Sequence, residues 1–206
     1  MTATPKKPGP TPRGPRERLS PEVITGLVDG AGAGDQRAWD RLVQEFGSLI
    51  WAIARAHRLG DADAADVSQA TWLALLRHIE KLNNPAGVGA WIATTARREC
   101  LRVLRGGQRS VLFGDDCPEH ESPDPEPGHA LLIAERDDAL RRAFSRLRAA
   151  DQALLRLLTA DPAPSYDEIA AALDMPIGSI GPTRQRALTR LREQLDGEQT
   201  LNLMID

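Results

Sequence analysis

Between Gly114 and Gly128 the chain carries Pro118, Pro123, Pro125 and Pro127 among Asp115, Asp116, Glu119, Glu121, Asp124 and Glu126, with no Lys or Arg. Proline offers no amide hydrogen to a helix or a sheet ladder, and a run of one charge resists collapse. Residues 106–128, opened by Gly106-Gly107, therefore read as a linker and as the clearest domain boundary in the chain. A linker of this composition is either a plain solvated tether or an acidic segment suited to a positively charged channel. With 206 residues there is room for modest helical modules on both sides. Hydrophobic residues make up 41% of the chain but aromatics only 4%. Strong β-formers are sparse, which favours Leu/Ala/Val-cored bundles over sandwiches or barrels. The expected fold class is all-α, with two small helical domains joined by a flexible acidic linker.

Several function classes fall away early. No apolar run approaches the roughly 20 residues of a membrane span, and the N-terminus lacks a signal-peptide core. Cys100 and Cys117 are too few for a disulfide framework and match no zinc spacing. The expectation is a cytoplasmic protein without membrane insertion, cofactor or metal. Cys117, His120 and His129 read as incidental, and His57 and His78 as solvated or structural. No nucleophile–base pair or phosphate loop stands out, so an enzyme is not expected. The net charge of -3 speaks against nucleic-acid binding only if charge is evenly spread, and it is not. Residues 1–20 form a basic, Pro-rich segment expected to be disordered: it either adds non-specific attraction to nucleic acid or simply aids solubility.

The N-terminal module is expected over 21–105. A short helix from Pro21 to Asp29 is predicted to break at Gly30-Ala-Gly-Ala-Gly34, and Asp35 to cap a helix with Leu42, Phe46, Leu49, Ile50 and Ile53 inward. After Leu59-Gly60, Asp61 or Asp63 is placed as the next cap. Val67, Trp72, Leu75, Leu76 and Ile79 supply that helix's buried stripe, leaving Asp61, Asp63, Asp66 and Gln69 outward. Those carboxylates are either helix-start acids and nothing more, or a docking face for a basic surface. The loop Asn83-Asn-Pro-Ala-Gly-Val-Gly89 leads into a helix opened by Trp91. Ile92, Ala96, Leu101 and Leu104 mark its apolar side and Arg97, Arg98, Arg102 and Arg105 its basic side. A basic helix behind such a loop suits a phosphate backbone with exposed bases, and equally the solvated face of an ordinary bundle helix.

The C-terminal module is expected over 129–196, followed by a short tail at 197–206. A helix over 131–147 should bury Leu132, Ala139, Leu140, Ala143, Phe144 and Leu147, and Asp151 should cap another carrying Leu154, Leu155, Leu157 and Leu158. Ser165 and Glu168 have capping-box spacing before Ile169-Ala-Ala-Ala-Leu173. A turn at Asp174-Met-Pro-Ile-Gly178 and a cap at Ser179 precede a last helix to about Leu195, with Ile180, Ala187, Leu188, Leu191 and Leu195 inward and Arg186, Arg190 and Arg192 largely outward. Helix, tight turn and basic second helix make a helix-turn-helix, a pattern shared with non-DNA helical hairpins.

Taken together these motifs resemble the extracytoplasmic-function group of the sigma-70 family of RNA polymerase sigma factors, from about Gly34 to Leu195 with the linker unmatched. Asp63-Ala-Ala-Asp-Val-Ser-Gln-Ala-Thr-Trp72 looks like the segment by which the family docks on the β′ clamp helices of core polymerase, which implies Asp63, Asp66 and Gln69 as polymerase-facing. Pro85 and Trp91-Ile-Ala93 through Ala96-Arg97 resemble the loop and helix that capture the −10 element. That implies DNA contacts by Asn83, Asn84, Trp91, Arg97, Arg98, Arg102 and Arg105. Ile169-Ala170, Leu173, Gly178-Ser-Ile180 and Arg186-Ala187 resemble the module that reads the −35 element, with Ser179, Thr183, Arg184, Gln185 and Arg186 as candidate readers.

The same resemblance implies a sigma region 2 bundle and a region 4 helix-turn-helix, core polymerase (β′ clamp helices and β subunit) and promoter DNA as partners, and regulation by a separate anti-sigma protein. The chain departs from the family pattern in three places. Arg98 stands where Asn is frequent; Gly181 and Thr183 replace expected cations while Arg184 takes a usually apolar position; and Asp174 stands where such turns usually have Gly. Two other readings are a stand-alone helix-turn-helix regulator, which would hold an operator without polymerase, and a helical protein-binding adaptor.

Overall fold

The computed structural model of the chain describes residues 19–107 and 137–205, and the described residues are helices, two short 3-10 turns and their connections, without strand. Most of the basic N-terminal segment, the acidic stretch, Cys117, His120, His129 and Leu132 lie outside the described residues.

The first helix, α1 (Pro21–Gly32), starts on the Ser20 side chain, which accepts from the Val23 amide. It does not stop at Asp29. Glycine is tolerated through Gly30 because a Cβ there would press on the Ala38 Cβ at 3.2 Å, so the bare backbone lets the next helix approach. The break falls at Gly34, whose φ of 89° is natural only for glycine. Asp35 then caps α2 (Gln36–Ala56) by accepting from the Arg37 amide, and all five predicted inward residues are buried.

α3 (Asp61–His78) is capped by Gly60 without a side-chain bond, so Asp61 and Asp63 serve its first turn rather than its cap. Val67, Leu75 and Ile79 are buried and Trp72 is partly so, but Leu76 is 58% exposed, at the rim of a groove between α3 and the start of α2. A 3-10 turn, Pro85–Gly87, leads into α4 (Val88–Gly107), so Trp91 sits in its first turn instead of opening it. The buried face of α4 is Val88, Ile92, Ala93, Ala96 and Cys100; Leu101 is half-buried and Leu104 exposed. Gly106-Gly107, expected to open the linker, form its last turn.

The second module begins with a helix, α5, described over 137–145, in which Ala143 is buried but Leu140 is exposed. α6 (Ala149–Leu158) starts at Arg148 with no side-chain cap. Asp151, placed by sequence at that cap, instead lies buried in the first turn. α7 (Tyr166–Leu173) begins with both bonds of the capping box: Ser165 Oγ accepts from the Glu168 amide and the Glu168 carboxylate accepts from the Ser165 amide at 2.6 Å. It ends on Asp174 in the left-handed conformation. α8 runs from Ile177 to Ile205, so Ser179 is inside it rather than at its cap and the helix continues well beyond Leu195. Pro182 accordingly sits in the second turn, where the Gly178 carbonyl loses its usual donor.

The two modules do not stand apart. α7 lies against α4 and α6 against α2. One apolar core runs continuously from Leu42, Ile50, Ile53 and Ile92 to Leu154, Leu157, Ile169, Ala172 and Ile180. A smaller cluster of Leu147, Leu155 and Ala187, with Phe144, Leu188 and Leu191 around it, ties α8 to α5 and α6.

Candidate nucleic-acid interface

α4 turns its buried face to the bundle, and this leaves its arginines in unequal settings. Arg98, Arg102 and Arg105 are exposed in the helix's second half, near one another on its outer side. Arg102 is steadied by Glu99 at 2.7 Å and Arg105 by the Leu101 carbonyl at 3.0 Å, both within the helix. Arg97 is different. Its side chain is 24% exposed and donates to the Asp174 carboxylate of the second module at 2.9 Å. Asn83 and Asn84 are exposed beside the entry to α4. Trp91 is half-buried, its ring 6.1 Å from that of His78. The expected loop-and-helix surface is thus assembled, except for Arg97.

Asp63, Asp66 and Gln69 are exposed along one side of α3, as predicted. Gln69 borders a groove lined also by Trp39, Trp72, Leu73 and Leu76 between α3 and the start of α2. Trp39 and Trp72 meet edge to face at 6.0 Å and hold its floor. The exposed Leu73 and Leu76 extend this surface, although the sequence pattern placed Leu76 in the buried stripe.

On α8 the expected readers Arg184, Gln185 and Arg186 are exposed, while Ser179 and Thr183 are half-buried. Arg186 donates to Thr183 Oγ1 at 3.1 Å, so this Thr–Arg pair shares one orientation on the helix. Arg190 is not part of that open face. It donates to the buried Asp151 carboxylate at 2.7 Å, with Arg148 at 3.7 Å on the same oxygen. The helix that carries the candidate readers is therefore anchored to α6 by charge-assisted bonding. Sequence gave Asp151 a capping role because acids commonly start helices. The partner 39 residues further along could be found only in three dimensions.

Between the modules lie groups that periodicity did not single out. Glu168 is buried over Gly89 in the first turn of α4, where a Cβ on Gly89 would collide with its carboxylate and with the Phe46 ring. His57, at the end of α2, reaches the Ala172 backbone with its Nε2 buried and unbonded; burial, with Arg97 nearby, lowers its pKa below the usual histidine value. Cys100 is buried in α4 and its thiol is pushed up to about 12, mainly by burial, which leaves it inert near neutral pH.

Residues 42–110 match the Sigma-70 region 2 family model. The chain is 25% identical to the RNA polymerase sigma factor NccH of Alcaligenes xylosoxydans xylosoxydans, over 87% of this chain and 98% of that protein. It is 27% identical to the RNA polymerase sigma factor CnrH of Cupriavidus metallidurans, over 84% and 94%. With the ECF RNA polymerase sigma factor SigE of Mycolicibacterium smegmatis it shares 24% identity over 83% and 68%. The solved structure of CnrH in complex with the cytosolic domain of CnrY has a similar fold, with a TM-score of 0.57 at 20% identity, covering 85% of this chain and 98% of that one. Motif order, helical architecture and these relatives agree in making the chain similar to the extracytoplasmic-function group of the sigma-70 family.

Proposed function

We propose that this chain directs promoter-specific transcription initiation, docking on core RNA polymerase through Asp63, Asp66 and Gln69 of α3. The observation that carries this reading is the exposed basic edge of α4 behind the open Asn83-Asn84 loop, on the segment that matches the family's region 2. Arg98, Arg102 and Arg105 are placed to neutralise phosphates near −10, where holding an unstacked base costs a few kcal/mol and is easiest at A·T-rich steps. Thr183, Arg184, Gln185 and Arg186 present polar and cationic groups suited to base edges and phosphates of a −35 major groove. The chain contributes recognition, and polymerase supplies the chemistry.

No described helix is long and apolar enough to cross a membrane. A separate regulatory protein as partner is supported by the likeness to CnrH, which was solved bound to the cytosolic domain of CnrY.

Purified chain with bacterial core polymerase and genomic promoter fragments should give new transcripts from sites sharing paired −35 and −10 sequences. Arg97→Ala with Arg98→Ala should abolish promoter opening while core binding survives. Normal open-complex footprints from that variant would overturn the assignment of α4. DNA binding without polymerase dependence would favour a stand-alone regulator instead.

A further inference from the structure

The groove between α3 and the start of α2 is open, and it is apolar inside a charged rim. Trp39 and Trp72 cross edge to face in it, the exposed Leu73 and Leu76 line one side, and Ala31 and Gly34 close the end at α1. Asp35 and Gln36 stand at the opposite lip; Gln36 donates to the exposed Asp40 at 2.9 Å. Asp66 is exposed one turn before Gln69 on α3. The lining includes an acid and no cation; Arg37 and Arg77 follow lining residues in sequence without lining the groove themselves. Crossed indoles between open leucines, rimmed by carboxylates, suit an extended proline-rich segment that carries arginines. Prolines dock on aromatic faces, and a guanidinium stacks on an indole or pairs with a carboxylate.

The chain carries such a segment. Residues 1–18 precede the described part and hold Pro5, Pro8, Pro10, Pro12 and Pro15 with Lys6, Lys7, Arg13, Arg16 and Arg18 against one acid, Glu17. Pro12-Arg-Gly-Pro15-Arg16 sets two prolines three apart. A polyproline helix has three residues per turn, so such a pair shares one face at a separation of about 9 Å. The tether also fits. With 12 residues α1 is about 18 Å long. The segment joins α1 at Ser20, and the groove lies at the other end, beside Ala31 and Gly34. From Pro15 to Pro21 the extended chain spans about 19 Å, and from Pro12 about 28 Å. Laid back along α1, the segment therefore brings Pro12–Arg16 to the groove. So short a tether gives an effective concentration of about a millimolar, enough to keep a weak contact formed.

We propose that Pro12–Arg16 of this chain docks in the Trp39–Trp72 groove, with Pro12 and Pro15 on the indoles and leucines and Arg13 and Arg16 toward the rim acids Asp35, Asp40 and Asp66. The docked segment covers Gln69, at one end of the α3 edge that carries Asp63 and Asp66, and so competes with polymerase for that edge. The competition rests on the polymerase-docking reading above; the docking does not.

A nitroxide on Thr11→Cys in a Cys117→Ser background tests the docking in the full chain, since Cys100 is buried and does not take the label. The indole N–H signals of Trp39 and Trp72 should broaden strongly, and that of Trp51, about 18 Å further along α2, far less. Pro12→Ala with Pro15→Ala, or Leu76→Lys in the groove, should each relieve the broadening. Neither variant alters a residue of the packed core. High salt should relieve part of it by screening the arginines.

Sharp Trp39 and Trp72 signals in the labelled chain would overturn the docking. Equal broadening when nitroxide-bearing chain is mixed with isotope-labelled chain lacking the nitroxide would place the segment on a second copy, and would also overturn it. Core polymerase is titrated separately. The Pro12→Ala, Pro15→Ala variant should bind core about threefold to tenfold more tightly than the unaltered chain. Broadening with unchanged polymerase affinity upholds the docking and removes α3 as the polymerase-facing edge, whereas tighter polymerase binding without broadening removes the docking alone.

Discussion

α4 and α8 both carry arginines suited to nucleic acid, yet the fold treats them differently. α8 keeps Arg184, Gln185 and Arg186 open and uses Arg190 as its anchor on α6. α4 keeps Arg98, Arg102 and Arg105 open but commits Arg97 to the opposite module. On α8 the structural arginine strengthens its own module; on α4 it joins two modules. An arginine count along a helix therefore does not measure a binding surface. What a guanidinium can do depends on whether a carboxylate has already been placed against it.

The comparison can be broken most strongly at the seam between modules. Ile169 is 1% exposed in the shared core, so Ile169→Ala should cost about 3 kcal/mol in denaturant unfolding, whereas Ile177→Ala, 49% exposed on α8, should stay within about 0.5 kcal/mol. Equal effects would mean that the seam is not a packed core. The α8 anchor comes next. Asp151→Ala leaves the half-exposed Arg190 able to rehydrate, so a loss of about 2 kcal/mol is expected, less than for a fully buried pair. Glu99→Ala, which breaks the exposed pair with Arg102, should be nearly silent in the same melts.

Ser165→Ala removes the cap of α7 and should cost about 1 kcal/mol, with Ser165→Thr restoring most of it. The smallest effect is one of pH. His57 has its pKa lowered in the folded state, first by burial and then by the Arg97 charge, against its usual 6.5. The unfolded chain then binds the proton more readily, so this group's contribution is fully present above 6.5 and is lost as pH falls below it. Thermal melts at pH 7.5 and 5.5 should show a smaller drop for His57→Gln than for the unaltered chain. An equal drop would place the pH response elsewhere.

Much of this architecture was legible in the chain itself. Local rules wrote the Asp35 cap, the Ser165–Glu168 capping box, the glycine break at Gly34 and the inward stripe of α2, because each depends on residues within one or two turns. The exposed acids of α3 and the exposed arginines of α4 and α8 followed from the same periodicity. Where periodicity failed, the cause was a neighbour or its absence. Leu76, Leu104 and Leu140 fit an apolar stripe but are exposed. Asp151 matched a cap but found Arg190 across the module.

The amino-acid order by itself determined helix identity, module order and the charge of each surface, since these arise from contacts between near neighbours. Only the tertiary structure decided that the modules share a core and that Arg97 meets Asp174. Those choices depend on surfaces brought together across more than seventy residues of chain, and no local pattern encodes which surfaces will meet.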